Sequence, residues 1–277
     1  MTIGEILQTA VSRLQNAHIS EPQANAEFLL AHVLGVARTW VLVNASFTPS
    51  ENDTKIFFSL LARKAQGEPL AHLTGVQPFC NLEIIVSPDV LIPRPETEHL
   101  VELVCAHFER QQPYTFLDMC TGSGCIAVAL AKQFPNARVL AVDVSEKALQ
   151  IAYQNVKKYK VENRVQLLQS NLWENVMGTF DLIISNPPYI PTANLASLSA
   201  EVKREPRLAL DGGADGYEIT RPLCAAADSY LNPGGLLALE LDDGQPWPLA
   251  RGLAEIGWRA EVKKDIFNVE RFVFAQK

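Results

Sequence analysis

Residues 1 to about 72 carry apolar positions at helical spacing, beginning with Ile6, Val11 and Leu14. Ser20 precedes Pro22 and the run QANAEFLLAHVLG, which stops at Gly35. A serine cap, a proline in the first turn and a glycine past the last periodic residue predict a helix marked at both ends. SENDTKIFFSLLARKAQGEP repeats the arrangement, closing on Gly67 and Pro69. Residues 1–73 are therefore expected to form a small all-α domain. The pattern then changes. GVQPFCNLEIIVSPDVLIPRPETE is rich in proline and β-branched residues and alternates near 82–86. It predicts a β-hairpin and an extended proline segment as a linker over 74–96.

From 97 to 277, short apolar runs alternate with longer amphipathic ones. Candidate strands are YTFLD (114–118), RVLAV (138–142), VQLL (165–168), FDLIIS (180–185), GLLALEL (235–241) and RFVFAQ (271–276). Helices are expected between most of them, at 145–160 and 219–231 among others. This order predicts an α/β domain with a parallel sheet covered on both faces. In such a sheet ligands bind beyond the carboxyl ends of the strands.

Composition narrows the class. The chain has 277 residues, 48% hydrophobic and 20% charged, as in an ordinary globular protein. No apolar run reaches the roughly eighteen residues that span a bilayer, and MTIGEILQTAVSRLQ does not read as a signal peptide. The five cysteines (80, 105, 120, 125 and 224) form no CxxC pair and no metal-type cluster, which points to reduced thiols in the cytoplasm. A net charge of −7 argues against a surface that grips nucleic acid. The densest basic run, KKYK at 157–160, reads as a solvated helix face.

Two stretches carry chemistry. FLDMCTGSGCIAVALA (116–131) runs strand, tight turn, helix, with Gly122 and Gly124 allowing close backbone approach to a ligand. The next strand ends in Asp143, nineteen residues beyond Gly124. That spacing suits a carboxylate on a ribose. Gly122, Gly124 and Ala127 also satisfy the dinucleotide fingerprint, so on this loop alone an NAD enzyme stays open. IISNPPYI (183–190) leaves a later strand on the same edge. Its prolines delete two backbone donors and hold Asn186 and Pro187 extended. The result is a rigid acceptor-only corner beside Tyr189, suited to an amide or exocyclic amine. All five histidines precede the glycine loop, which weakens a hydride-transfer reading that needs a proton donor in the later half. Methyl transfer to nitrogen is instead a positioning problem.

D-x-C-T-G-S-G, an acid ending the next strand and N-P-P-Y after a later one resemble class I S-adenosylmethionine-dependent methyltransferases that modify nitrogen. HLTGVQPF, LIPRPETEHLVE (91–102), EVKREPRLALDGGADGYEI (201–219) and the helical N-terminal part narrow the match. Over nearly its whole length the chain resembles the HemK/PrmC family of release factor glutamine methyltransferases. The resemblance implies a seven-stranded Rossmann-like methyltransferase domain (97–277) behind a helical substrate-recognition domain. It implies S-adenosylmethionine as cofactor, S-adenosylhomocysteine as product and no metal. The expected reaction is methylation of the N5 amide nitrogen of glutamine in the Gly-Gly-Gln loop of class 1 peptide chain release factors, with no membrane or direct nucleic-acid partner.

The implied residue roles are specific. Cys120, Thr121, Gly122, Ser123 and Gly124 wrap the methionine part of the cofactor, Asp143 takes the ribose hydroxyls, and Asn171 and Leu172 border the adenine. Asn186, between cofactor and substrate, accepts one substrate N–H through its side-chain oxygen. Pro187 accepts the other through its carbonyl. Pro188 and Tyr189 complete the substrate side. Two positions depart from the family pattern: Cys120 stands where glycine is common, and a positive φ there would be strained. Asn171 stands where aspartate is common and accepts more weakly. Other readings are a glutamine methyltransferase of a ribosomal protein, an adenine-N6 methyltransferase, or a cofactor-binding module without catalysis. Glu96 and Glu98 are expected to cap a helix, Asp118 to hold the loop or touch cofactor, and Glu240 and Gln245 to be surface polars. Arg94 has no assigned role, and Trp173 is expected in the core or a pocket wall.

Overall fold

The computed structural model describes residues 1–277. Contacts divide the chain into two compact units: Met1–Val76 with Ser199–Arg204, and Gln77–Leu198 with Glu205–Lys277. No helix is long and apolar enough to cross a membrane.

The first unit is helical: α1 (Ile3–Asn16), α2 (Pro22–Leu34), α3 (Arg38–Val43), α4 (Glu51–Ala65) and α5 (Leu70–Thr74). Thr2 and Glu5 form a capping box at α1, and Ser50 caps α4. Gly35 closes α2 at φ +65°. The start of α2 corrects the expected serine cap. Glu21, not Ser20, is the cap residue, at φ +48° and without a side-chain bond. The Ser20 carbonyl instead accepts from the Asn25 side chain. Ile3, Ile6, Leu14, Leu29, Leu30, Phe57 and Leu61 fill the core, each contributing on the order of 1.5–3 kcal/mol by burial. Ala10, rather than the expected Val11, is the fully buried position of α1 between Ile6 and Leu14. Residues 199–204 join this unit through a 2.7 Å ion pair from Lys64, which is 1% exposed, to Glu201.

The second unit opens with the hairpin β1 (Val76–Phe79) and β2 (Leu82–Ile85). Its main sheet comprises β3 (Thr115–Met119), β4 (Arg138–Asp143), β5 (Val165–Gln169), β6 (Phe180–Ser185), β7 (Leu231–Glu240), β8 (Arg259–Lys264) and β9 (Glu270–Gln276). Their spatial order is β5-β4-β3-β6-β7-β9-β8. The interspersed helices are α6 (Pro95–Cys105), α7 (Cys125–Gln133), α8 (Glu146–Lys158), α9 (Thr220–Tyr230) and α10 (Pro246–Glu255).

The expected parallel sheet holds for five strands and fails at the end. β9 runs antiparallel to both β7 and β8. The turn between β8 and β9 is too short for a crossover, so only an antiparallel neighbour is possible. β8 escaped the hydrophobic pattern because RAEVKK is a polar edge strand with no fully buried residue.

Strand order places the chemistry. The chain steps outward from β3 to β4 and β5, then returns to the other side of β3 with β6 and β7. The reversal makes the β3/β6 boundary the switch point, where a crevice opens beyond the carboxyl ends. The glycine loop leaves β3 there, and Asn186 leaves β6. The Ser185 hydroxyl donates to the Met119 carbonyl at 2.6 Å and ties the two exits together.

Candidate active site

The loop after β3 is built around backbone that turns left-handed three times, with φ +63° at Cys120, +55° at Gly122 and +76° at Gly124. Cys120 thus carries the strain foreseen for a non-glycine residue, roughly 1–2 kcal/mol. Gly124 is required for packing. A Cβ there would lie 3.0 Å from the Ala152 Cβ and 3.2 Å from its Cα. Asp118 is fully buried and holds the loop. Its Oδ2 accepts from the Thr121 hydroxyl and from the Ala127 backbone N–H at 3.1 Å. Burial pushes its carboxyl up to about 7. Asn155 supports the loop from α8, donating to the Ser123 carbonyl at 2.9 Å while bonding both backbone groups of Ile85.

Asp143, at the end of β4, accepts from Gly122 N–H at 2.8 Å and from Ser145 N–H at 2.9 Å. Each carboxylate oxygen keeps a further lone pair for a ligand. Burial raises its pKa against those hydrogen bonds. Asn171 donates to Glu174 at 2.8 Å, which leaves its carbonyl oxygen free to accept. Leu172 follows at φ +48°.

At the other exit, the Asn186 amide is held by two long-range partners. Its Nδ2 donates at 3.0 Å to Thr97 Oγ1 and at 3.0 Å to Glu240 Oε1. Thr97 in turn donates to Glu240 Oε2 at 2.8 Å. The amide orientation follows from these partners, because a carboxylate oxygen only accepts. With both N–H bonds spent, the Asn186 side chain offers an acceptor. Glu240 is 1% exposed and Gln245 8% exposed, so both overturn the expectation of surface polars. Gln245 donates to the Tyr189 carbonyl at 2.9 Å and accepts from Asp242 N–H at 2.9 Å. It braces the turn from behind.

Cys120, Thr121, Gly122, Ser123, Asp143, Asn171, Leu172, Asn186 and Pro188 line one cleft. Gly124, Pro187 and Tyr189 do not line it. Pro187 is buried, and burial pushes the Tyr189 phenol upward. Sequence reasoning missed the opposite wall. Asp89, Val90, Leu91, Pro93 and Thr97 form one side, and Leu208 and Ala209 another. The proline-rich stretch LIPRPETE was the available signal. Its charged residues work beside the cleft: the Arg94 guanidinium pairs with buried Glu205, and Glu98 accepts from Cys80 N–H at 3.0 Å. Trp173 stacks on Tyr230 with ring centroids 4.3 Å apart. The KKYK run is not simply solvated, since Lys158 and Tyr159 bond Glu83 of the hairpin.

The lining bears on which nucleoside cofactor fits. Its charged members are Asp89, Asp143 and Asp211, with no lysine, arginine or histidine. A pyrophosphate would meet acidic walls, whereas a sulfonium would meet complementary charge. Ser123 Oγ, buried in the lining, has no nitrogen or oxygen partner in the chain, only the Cys125 thiol beside it, and suits a polar group of a ligand. The residues present therefore fit S-adenosylmethionine better than a dinucleotide.

Comparison with known proteins gives the same class. Residues 5–75 match the family described as PrmC N-terminal domain, and residues 97–201 match the methyltransferase small domain. The chain is 38% identical over 277 residues to the release factor glutamine methyltransferase of Deinococcus radiodurans, covering 100% of this chain and 99% of that one. It is 43% identical over 248 residues to the protein of the same name from Moorella thermoacetica, covering 88% of each. Among solved structures, the ribosomal protein L11 methylase of Lactobacillus delbrueckii subsp. bulgaricus aligns with a TM-score of 0.52 at 23% identity. That alignment covers 73% of this chain and 89% of that one, and speaks to the fold alone.

Proposed function

This chain belongs to the release factor glutamine methyltransferase family, and we propose that it methylates the N5 side-chain amide nitrogen of the glutamine in the Gly-Gly-Gln loop of class 1 release factors, in the cytoplasm. The observation that carries this reading is the pinned Asn186 amide, an acceptor at the switch point, one strand from the glycine loop. A primary amide presents two N–H bonds and no charge, and an acceptor-only corner is its complement.

S-adenosylmethionine, when bound, would supply an electrophilic methyl carbon on a sulfonium and leave as S-adenosylhomocysteine, while the methylated nitrogen gives up one N–H proton to solvent. Residues 120–124, Asp143, Asn171 and Leu172 would hold it. The chain's own contribution is orientation. An amide nitrogen is a poor nucleophile because its lone pair is delocalised into the carbonyl. Asn186 Oδ1 and the Pro187 carbonyl accept its two N–H bonds, aim the nitrogen and favour a more pyramidal geometry. Pro188 borders the substrate, and the half-buried Tyr189 is assigned to pack on the glutamine side chain at the edge of the cleft, beyond its lining. Positioning of this kind lowers a barrier by restricting the reacting groups to a productive approach.

Asp143→Ala is expected to weaken cofactor binding by about 1.5–3 kcal/mol, the loss of charge-assisted hydrogen bonds. Isothermal calorimetry checks this. Unchanged affinity, or tight binding of NAD instead, would remove the assigned cofactor. The substrate class has its own measurement. Label from methyl-tritiated S-adenosylmethionine is expected in a purified release factor and not in duplex DNA or a ribosomal protein. Efficient labelling of DNA adenine would sink the reading, since an exocyclic amine also fits an acceptor corner.

A further inference from the structure

We propose that Thr97 and Glu240 are the positioning residues of this site: together they hold the Asn186 amide with its NH2 group turned inward and its carbonyl oxygen turned to the substrate, and they do so only while Glu240 is ionised. The proposal rests on the reading of Asn186 as the acceptor for the substrate amide.

An asparagine amide has nearly the same shape after a half-turn about its terminal bond, so packing alone does not select which end faces the cleft. Hydrogen-bond direction does. Glu240 Oε1 meets Asn186 Nδ2 at 3.0 Å, and an ionised carboxylate has no proton to give. Thr97 has one hydroxyl proton, and it is committed to Glu240 Oε2 at 2.8 Å. Only the acceptor side of that hydroxyl is left for Asn186, at 3.0 Å. Direction therefore passes from the carboxylate to the hydroxyl and from both to the amide. The three residues lie on separate elements, at the start of α6, the end of β7 and the exit of β6. A closed set of satisfied polar groups across buried elements specifies one arrangement strongly.

A proton on Glu240 reverses this logic. Protonated Oε1 would donate toward Asn186 and favour the turned amide. Two N–H bonds would then face a substrate amide that also presents N–H bonds. The groups around Glu240 determine when this happens. Burial disfavours its charge, and Glu96 does so weakly. The Thr97 hydroxyl favours the charge, as do the Arg271 and Arg94 guanidiniums. Tyr189 faces it as a neutral phenol. The balance brings the carboxyl to about 7. Asp118, under the glycine loop, reaches a similar value, so a pH profile of the wild type alone does not identify the group.

The test uses full-length enzyme and whole release factor, with kcat taken at saturating cofactor and substrate. In wild type, kcat is expected to fall about tenfold per pH unit below roughly 7. Glu240→Gln should lower kcat at pH 8 at least tenfold and flatten that acid limb, with the KM for cofactor within twofold. Thr97→Val should lower kcat and move the limb to higher pH, because the hydroxyl that favours the Glu240 charge is lost, and Thr97→Ser should restore the rate. A residue that merely supports the fold would not move the pH profile. An unchanged acid limb in Glu240→Gln, or a kcat within twofold of wild type, would overturn the link between this network and turnover. A readout independent of turnover is the side-chain 15N–1H2 signal of Asn186, assigned by its loss in Asn186→Asp. It should titrate with Glu240 in wild type and stay fixed in Glu240→Gln; a signal that does not titrate in wild type would overturn the proposal. Titration of the signal without a matching change in kcat would uphold the positioning and defeat the assignment of Asn186 as the substrate acceptor.

Discussion

Asn186→Ala is expected to lower methyl transfer by two to three orders of magnitude while leaving cofactor affinity within a factor of two. One positioning acceptor lost from a transition state costs about 2.7–4 kcal/mol. The substitution removes that acceptor and leaves the residues 120–124, Asp143, Asn171 and Leu172 untouched. It also frees Thr97 and Glu240 from their shared partner, so no second acceptor is placed where Oδ1 was. Asn186→Asp is the finer experiment. The shape is kept, but a carboxylate would replace the N–H that meets Glu240 at 3.0 Å. Two carboxylates at that distance do not both ionise, and one takes up a proton. Where that proton sits on Glu240, the carboxylate at 186 would also stabilise a sulfonium ground state that loses its charge as the methyl departs, and ground-state stabilisation slows the step. The aspartate variant should bind cofactor at least as well as wild type and turn over at least tenfold more slowly. Single-turnover kinetics on the release factor measure both variants. An alanine variant with normal rate would mean that the corner is only a turn.

Gly216→Ala should cost about 3 kcal/mol or more of stability and with it most of the activity. Gly216 sits at φ +82°, and a Cβ there would lie 2.3 Å from the Tyr189 carbonyl oxygen and 2.4 Å from Gln245 Nε2. Those two atoms are partners in the 2.9 Å bond that braces the turn after Asn186. The new methyl would have to push apart a backbone carbonyl and a buried amide, which places the change among the strongly destabilising mechanisms. Gly244→Ala is the control. It has a similar φ of +79° and nothing within 4 Å of the added carbon, so it should show only the left-handed strain of roughly 1–2 kcal/mol. Urea unfolding of the two variants separates crowding from strain. Equal losses would show that the close approach to Tyr189 is not what requires glycine at 216.

Much of the site could be read along the chain because it is local. The strand ending at Asp118, the turn through Gly122 and Gly124 and the start of α7 are consecutive, and each residue's preference is set within a few positions of itself. Asp143 ends the next strand, and Asn186 ends a later one, so strand periodicity with the topology of a parallel sheet brought all three to one edge. The helical character of the N-terminal part was equally local, carried by 3–4 spacing and by the glycine after α2.

The sequence by itself thus determined the class of sheet, the glycine loop after β3 and the rigid acceptor corner after β6. The tertiary structure decided how that corner is held. Glu240 looks like one more polar residue near a strand end, and it becomes a buried group only when β7 lies between β6 and β9. Thr97, between two glutamates that drew attention as caps, lies 89 residues from the amide it fixes, and Glu240 lies 54 residues from it. The same holds for β8, whose polar pattern has meaning only as an edge beside β9, and for Cys120, held at positive φ by a loop anchored from Asp118 and Asp143. Local preferences and periodicity reflect interactions over a few residues. The direction of a hydrogen bond in a buried network is set by whichever groups the completed fold brings into contact, and that information is carried by no single stretch of the chain.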